Sequence, residues 1–487
     1  MGEHGRNTAK PIYADIAIIG AGASGLMAAC FAAVSPFKVV AIERNGAAGK
    51  KLSITGKGRC NIANSADLQA TMRNIPGNGK FMYSAFHAMP AAGVIAFFEG
   101  LGVKAALERG GRYFTQSGDA RDVTRALCGR AASAGAEILC GARVESIEVA
   151  GGGVAGGEAG SATGGEDAAG GEPYFLLRLG GGEGAGAGNR GGEGAGGRGG
   201  ADAGNRGGAG GRSGAAGPAG LVRARRVIIA TGGLSYPRTG STGDGYRLAA
   251  ALGHAIVPPQ PSLVPLETAE EWPRGLSGLT LRNVGLKLFD QRGGQRFKAL
   301  GEMLFTHFGI SGPMVLSGSR QLLGCGFAGC AARIDLKPGL TREKLRDRIA
   351  RDFDMYRKKR LRGALCDLMP RALIPVAIAS AGMDAEAPVA AIGKSGVNAL
   401  ADAVKALPLT ISGARPIDEA IVTAGGVRTP EINPSTMESK IRRGLYFCGE
   451  VIDVDAYTGG FNLSIAFSTG CLAGRSAAAS LAAKPPP

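Results

Sequence analysis

A chain of 487 residues with 45% hydrophobic content is long enough for more than one core, and its formal charge of +16 points to an anionic partner or substrate. Nine scattered cysteines without a C-x-x-C pair, and four histidines, argue against a disulfide framework, a zinc site or an iron–sulfur centre, so no metal and a reducing cytoplasmic setting are expected. Met1–Lys10 lacks the apolar core of a signal peptide, and no apolar run approaches the length of a membrane span, so neither export nor a membrane role is expected.

The β-formers Asp15–Ile19 run into Gly20-Ala21-Gly22-Ala23-Ser24-Gly25, and a helical pattern follows from Leu26. A second strand, Lys38–Ile42, ends on Glu43, 18 residues after the last glycine. Strand, G-x-G-x-x-G, helix and acid together make a dinucleotide fingerprint. Gly20 permits the tight turn, Gly22 lets the backbone approach a pyrophosphate, and Gly25 lets the helix pack on the strand. The helix N-terminus supplies free N–H groups to the phosphates. Glu43 is suited to accept both ribose hydroxyls.

Between Gly151 and Gly220 the chain holds 31 of its 83 glycines, a composition with too little apolar surface to offset its ordering entropy. Val144–Val149, Pro173–Leu179 and Leu221–Ala230 read as strands of a meander whose two turns carry flexible insertions. The last of these breaks at Thr231-Gly232-Gly233 and reads as a strand re-entering the nucleotide domain. Pro258–Pro338 is irregular and β-like. Thr341–Leu407 is helical in pattern, and Thr341–Gly363 carries ten Lys or Arg against four acids. Its densest cluster contains Arg357, Lys358, Lys359, Arg360 and Arg362. It is either a solvated helical face or a salt-sensitive phosphate-binding surface.

Near its end the chain returns with a strand, Leu445–Cys448, closed by Gly449-Glu450. Thr458-Gly459-Gly460-Phe461-Asn462 then opens a helix over Leu463–Ala473. A nicotinamide dehydrogenase usually completes its cofactor site within its first domain. A return of this kind favours FAD, with Glu450 at the ribitol chain and the helix N-terminus under the flavin pyrimidine edge. The expected cofactor contacts are Gly20, Gly22, Ala23, Ser24, Gly25, Glu43, Arg44, Lys51, Gly58, Arg59, Cys60, Asn61, Val144, Ala230, Thr231, Gly232, Gly449, Glu450, Gly460, Phe461 and Asn462. No second fingerprint in strand–helix context is present, so NAD(P)H is expected only as a transient electron donor.

Several loops carry a family resemblance: Thr55–Asn61, Ala230–Tyr246, Leu304–Pro313, Gly449-Glu450 and Gly459–Asn462. With them the chain resembles the BaiN/RdsA-type family of FAD-dependent oxidoreductases over nearly its whole length except Gly151–Gly220. The resemblance implies an α/β fold. It has a Rossmann-like FAD-binding domain of the two-dinucleotide-binding-domain flavoprotein type, an inserted β-barrel-like domain and a small helical domain. The expected boundaries place the FAD-binding domain at 11–150, 221–257 and 420–484, and glycine-rich insertions within the meander at 151–220. The β-rich insert falls at 258–337, the helical domain at 338–405 and a brief β return at 406–419.

The family's activities include reduction of conjugated C=C bonds in steroid-like acids, reduction of ribosomal RNA uridine to dihydrouridine, and oxidation of aminoacetone. The leading expectation is an enzyme reducing ribosomal RNA uridine. A small-molecule ene-reductase or amine oxidase is the alternative, and a flavin-bound RNA- or protein-binding protein without turnover a second one. Reduction needs hydride from flavin N5, an acid for the α-carbon and donors for the enolate oxygen. The candidates are Cys60, His307 and Tyr236. Each has a plainer alternative, respectively a small buried residue, a satisfied histidine and a packing tyrosine. The cations beside Cys60 are expected to lower its pKa, and Lys57 and Arg59 to neutralise a phosphate of cofactor or substrate.

Overall fold

The computed structural model describes residues 11–33, 36–151, 172–181 and 220–483. Its largest sheet is built around the strand Ile12–Ile19, whose Ile16, Ala17 and Ile18 are completely buried. That strand pairs in parallel with Val39–Glu43 on one side and Gly220–Ile229 on the other. Glu137–Cys140 extends the sheet beyond Val39–Glu43. The unbroken apolar run Val39-Val40-Ala41-Ile42 is what a parallel strand covered on both faces requires. Gly220–Ile229 changes partner along its other edge. Its first half pairs antiparallel with Tyr174–Gly181, and its last residues pair in parallel with Leu445–Phe447. Tyr174–Gly181 pairs in turn with Ala142–Ala150. The expected glycine-rich insertions, at 152–171 and 182–219, lie outside the described residues.

The helix Ala23–Ala32 meets the C-terminal helix Phe461–Ala482 at backbone distance. A Cβ added at Gly470 would stand 2.4 Å from the Ser24 carbonyl oxygen, and one at Gly474 2.4 Å from that of Ala28. These two glycines, one turn apart, make the flat face on which the first helix lies. The segment Gly79–Gly100 is apolar and long enough, by length and composition alone, to cross a membrane. It is broken at Met89-Pro90 into separate helical pieces, and Met82, Ala85, Phe86, Val94 and Phe98 are buried in the core shared with both helices.

The inserted region is a closed barrel. Its strands run in the order Leu266–Thr268, Gly309–Ser311, Gln295–Thr306, Thr280–Phe289, Cys330–Asp335 and Leu407–Ala414. Leu407–Ala414 pairs with both Cys330–Asp335 and Leu266–Thr268, so the late β segment is the strand that seals the barrel. In the chain, between Cys330–Asp335 and Leu407–Ala414, run the helices Arg342–Met355, Leu361–Ala364, Ile374–Ser380 and Lys394–Lys405. Their Leu345, Ile349, Ala377 and Leu400 share one apolar cluster with Leu286 and Leu288 of the barrel. A two-stranded ribbon, Ile256–Ser262 with Val422–Val427, connects barrel and sheet. The chain leaves the sheet after Ile229 and returns beside the same strand. The insert therefore covers the carboxyl ends of the parallel strands, where open α/β sheets bind ligands.

Candidate active site

A cavity of about 660 Å³ lies where the strand ends Ile19, Gly20, Ile42, Glu43 and Ala230 meet the insert. The fingerprint glycines act there in different ways. Gly20 has φ +98°, which only glycine adopts without strain, and a Cβ at Gly25 would sit 1.9 Å from the Gly20 carbonyl oxygen. Gly22 has an ordinary φ of −84°, and a Cβ there would meet nothing within 4 Å. Its backbone borders open cavity, beside the first-turn N–H groups of Ala23–Ala32, which have no partner within the helix. The distant half of the site is in direct contact with this turn. Ser24 Oγ donates to the Cys448 carbonyl at 3.4 Å, and a Cβ at Gly449 would stand 2.4 Å from Ser24 Oγ.

Glu43 is buried against the fingerprint. One carboxylate oxygen accepts from the Ala21 N–H at 2.9 Å, the other from Asn45 N–H and Nδ2 at 2.9 and 2.6 Å. The oxygen that accepts from Ala21 keeps a lone pair for a further donor. The segment Tyr236–Asp244 is tied down onto this end of the cavity. Asn45 Nδ2 donates to the Thr239 carbonyl at 3.0 Å, and Arg44 reaches Thr242 Oγ1 and, at 3.2 Å, Asp244. Arg143 grips Asp244 through two bonds of 2.9 and 2.6 Å. Burial pushes the Asp244 carboxyl up, but the hydrogen bonds and charge of Arg143, with the charges of Arg44 and Arg247, outweigh it and hold the carboxyl below its usual range.

A second knot closes the opposite side. Lys51 Nζ donates to Ser235 Oγ at 2.7 Å and to Glu450 at 2.8 Å. The other Glu450 oxygen accepts from Ser235 Oγ and the Thr423 N–H, both at 2.8 Å. Burial opposes the Glu450 charge, yet Lys51 and these donors keep its carboxyl below the usual range. The C-terminal helix starts at Phe461, with Gly460 at φ +99°, and Gly459, Gly460 and Asn462 face the cavity. Asn462 fixes the approach to the helix by donating to the Ala456 carbonyl at 2.7 Å and accepting from its N–H at 2.9 Å. On the barrel side the wall is apolar, made of Leu263, Pro313, Leu316, Ile421, Val422 and Val454.

Residues 14–166 and 215–476 match the model of the HI0933-like protein Rossmann domain. The chain belongs to this family. It is a flavoprotein oxidoreductase with FAD as its cofactor. The chain is 30% identical over 469 residues to the 3-dehydro-bile acid delta(4,6)-reductase of Clostridium scindens, covering 95% of this chain and 98% of that protein. It is 35% identical over 247 residues to the ribosomal RNA dihydrouridine synthase of Haemophilus influenzae, a match spanning 50% of this chain and 58% of the synthase. The Escherichia coli synthase matches at 29% over 251 residues, 51% of this chain and 59% of the synthase. Among solved structures, Escherichia coli quinol fumarate reductase aligns with a TM-score of 0.47 at 16% identity, over 98% of this chain and 72% of the other.

The side chains present in this HI0933-like protein fit FAD. The open backbone at Gly22 and the free helix N–H groups suit a pyrophosphate, and Glu43 suits a ribose. The start of the helix Phe461–Ala482, where Asn462 and Leu463 line the cavity, suits the flavin ring through its positive dipole end. Of the residues expected at the cofactor, Gly20, Gly22, Ala23, Ser24, Glu43, Arg44, Lys51, Asn61, Val144, Ala230, Thr231, Gly232, Glu450, Gly460 and Asn462 line the cavity. Gly25, Gly58, Arg59, Cys60, Gly449 and Phe461 stand outside its wall. Arg59 turns away to pair with Glu108 and stack 4.5 Å over the Phe114 ring.

The three proton-donor candidates separate. Cys60 is fully buried, and burial pushes its thiol up to about 12 against the opposing Thr55 hydrogen bond. The lowered pKa expected from neighbouring cations is therefore not what the fold produces, because Arg59 points elsewhere and desolvation prevails. His307 is exposed outside the wall, edge-on to Phe308 at 4.9 Å. Tyr236 alone of the three lines the cavity. It holds a left-handed φ of +54°, and burial pushes its phenol above the ordinary value. Backbone strain at a bulky residue is the kind that clusters at functional sites.

Arg357, Lys358, Lys359 and Arg360 lie in the turn after Arg342–Met355 rather than on a helical face, and Arg362 lies in the short helix Leu361–Ala364 that follows. Arg360 donates to the Glu386 carbonyl, Arg362 pairs with Glu386 at 2.8 Å, and Lys359 sits 3.8 Å over the Tyr356 ring. Arg357 and Lys358 are exposed, with no partner among the described residues. Sequence reasoning missed Asn45, Arg143, Asp244 and the apolar barrel wall. The Gly243-Asp244-Gly245 punctuation was a signal for Asp244. Leu263 and Ile421 had none.

Proposed function

We propose that this flavoprotein reduces a carbon–carbon double bond conjugated to a carbonyl, and that its substrate is uridine in ribosomal RNA, converted to dihydrouridine. The observation that carries the reading is the charge left free at the cavity. Glu43, Asp244 and Glu450 are all bonded, whereas Lys50 and Lys57 line the same cavity, exposed and without a hydrogen bond or ion pair among the described residues. A site with spent acids and free cations attracts an anionic substrate. The exposed Arg357 and Lys358 provide a further contact for a phosphate backbone.

Bound FAD supplies hydride in its reduced form, with NAD(P)H as the proposed electron donor. The chain supplies the rest. The apolar wall from Leu263 to Ile421 takes a flat ring, and Tyr236, its phenol kept protonated, donates to the α-carbon. The N-terminal end of the helix Phe461–Ala482 would stabilise negative charge on the cofactor's pyrimidine edge. The relatives named as ribosomal RNA dihydrouridine synthases support the choice of substrate.

A second reading is favoured by a specific observation. The relative matched along 98% of its length is named a bile acid reductase, and an apolar wall also suits a carboxylated polycyclic enone. The test is anaerobic reoxidation of the reduced enzyme by a uridine-containing ribosomal RNA fragment, with dihydrouridine read by mass spectrometry. Reoxidation by a steroid enone acid and not by RNA selects the second reading. Reduction of the oxidised flavin by aminoacetone, with neither acceptor active, replaces both with an amine oxidase.

A further inference from the structure

The loop after the second strand of the fingerprint contains a strained residue, Lys57, whose side chain has no hydrogen bond or ion pair among the described residues. Gly56, Lys57 and Gly58 have φ of +59°, +59° and +85°, and Cys60 has +52°. Glycine adopts the left-handed region freely, but Lys57 carries a Cβ that disfavours it. The strain is held by its surroundings. The Cys60 N–H donates to the Thr55 carbonyl at 3.0 Å, the Ala120 N–H to the Gly58 carbonyl at 2.7 Å, and Thr115 Oγ1 to the Arg59 carbonyl at 2.9 Å. Cys60 is sunk into the core behind it.

This rigid backbone presents Lys57 to solvent on the cavity wall, with no hydrogen bond or ion pair among the described residues. Its neighbour Arg59 is spent on Glu108 and Phe114. Lys50 stands on the same wall in the same condition, and Ile54, 51% exposed, adds an apolar shoulder to it. Strain of this kind persists where the presented side chain has work to do.

We propose that Lys57, with Lys50, forms the substrate's anion-binding subsite, taking a negatively charged oxygen group next to the ring that is reduced. The subsite positions the substrate and leaves the chemical step to other residues. The proposal rests on the reductase reading for its substrate, but the cationic approach to the flavin does not. The group is a phosphodiester if the substrate is RNA and a carboxylate if it is a small acid. The pyrophosphate of the cofactor is served separately, by the backbone at Gly22 and the first turn of Ala23–Ala32.

The first test needs no natural substrate. Photoreduced holoenzyme is reoxidised anaerobically by ferricyanide, a trianion taking one electron per molecule, and in parallel by neutral benzoquinone. In Lys57→Gly at low salt the ferricyanide rate should fall about three- to tenfold and lose much of its salt dependence, while the benzoquinone rate stays the same. Flavin content should be unchanged, and the thermal midpoint should hold or rise because glycine relieves the left-handed backbone. Lys57→Arg should restore the ferricyanide rate. An unchanged ferricyanide rate in Lys57→Gly overturns the proposal, and so does loss of FAD, which would assign the cation to the cofactor.

The second test uses a uridine oligonucleotide against free uridine, and a steroid enone carboxylate against its methyl ester, each titrated against the flavin spectrum. The charged member that binds wild type should weaken about tenfold or more in Lys57→Gly, while its neutral counterpart is unaffected. The pair that responds identifies the source of the anion. Binding of a charged member that is equal in wild type and Lys57→Gly also overturns the proposal. If neither pair binds while the ferricyanide effect holds, the reductase reading fails and the cationic subsite stands.

Discussion

Gly22 and Gly25 stand three residues apart in one fingerprint, yet adding a side chain to each should have opposite consequences. A Cβ at Gly25 would sit 1.9 Å from the Gly20 carbonyl oxygen and 3.2 Å from Ala230 Cβ. The first of these is backbone, in a turn whose φ of +98° leaves no slack. Gly25→Ala must therefore push the helix Ala23–Ala32 off the sheet. Overpacking of that kind costs about 1–3 kcal/mol and sometimes more, against a total stability of about 5–15 kcal/mol. Gly22 has φ −84° and open space where its Cβ would go. Gly22→Val should leave the apoprotein folded, with helical circular dichroism and thermal midpoint close to wild type.

The cost of Gly22→Val falls on the cofactor. Displacing a pyrophosphate from its backbone donors forfeits hydrogen bonds to a charged group, each worth about 1.5–3 kcal/mol. Without two of them FAD binds roughly 10²–10⁴-fold more weakly, at about 1.4 kcal/mol per decade. The assay is FAD titration of both apoproteins by calorimetry, with a thermal melt of each with and without FAD. Wild-type FAD affinity in Gly22→Val, or wild-type stability in Gly25→Ala, would refute the division of labour.

Tyr236→Phe should slow substrate-driven flavin reoxidation by about 10²–10⁴-fold with flavin content intact, whereas Cys60→Ala and His307→Ala should not approach that loss. A large loss in either of the latter would move the proton donor off the cavity wall. Reversing Arg357 and Lys358 to Glu should weaken RNA binding and lower its log–log salt slope by about 0.7–0.9 for each phosphate no longer neutralised, with FAD retained. An unchanged slope would return the turn to a solvated surface. His254 is buried with Nε2 2.8 Å from Ser439 Oγ and Nδ1 3.2 Å from Glu431, and burial, outweighing the Glu431 charge, lowers its pKa. The fold favours its neutral form. The stability this contributes is present above the unfolded pKa of about 6.5 and is lost as pH falls from there through the lower folded pKa. The thermal midpoint should decline over that window in wild type and less steeply in His254→Gln, and parallel profiles would disprove the assignment.

The sequence by itself determined the nucleotide half of this protein. Asp15–Ile19, the glycines at 20, 22 and 25, and Glu43 lie within one βαβ unit. Turn, helix and acid in such a unit are set by neighbours a few residues away and appear as local periodicity. The return at Leu445–Glu450 and the helix opening at Gly459-Gly460 were legible for the same reason, although that helix proves to run to Ala482 because Gly470 and Gly474 lie against Ser24 and Ala28. Tertiary structure decided which charges are free. Arg59 and Lys57 are two residues apart and look alike in the chain. Glu108, 49 residues from Arg59, takes the first and nothing among the described residues takes the second. It also decided that Arg143 and Asp244 meet, that Leu407–Ala414 seals the barrel, and that Leu263 and Ile421 wall the cavity. Each of these depends on pairing between segments far apart in sequence, which leaves no local pattern to read, and on desolvation, which is set by the surrounding fold rather than by residue type.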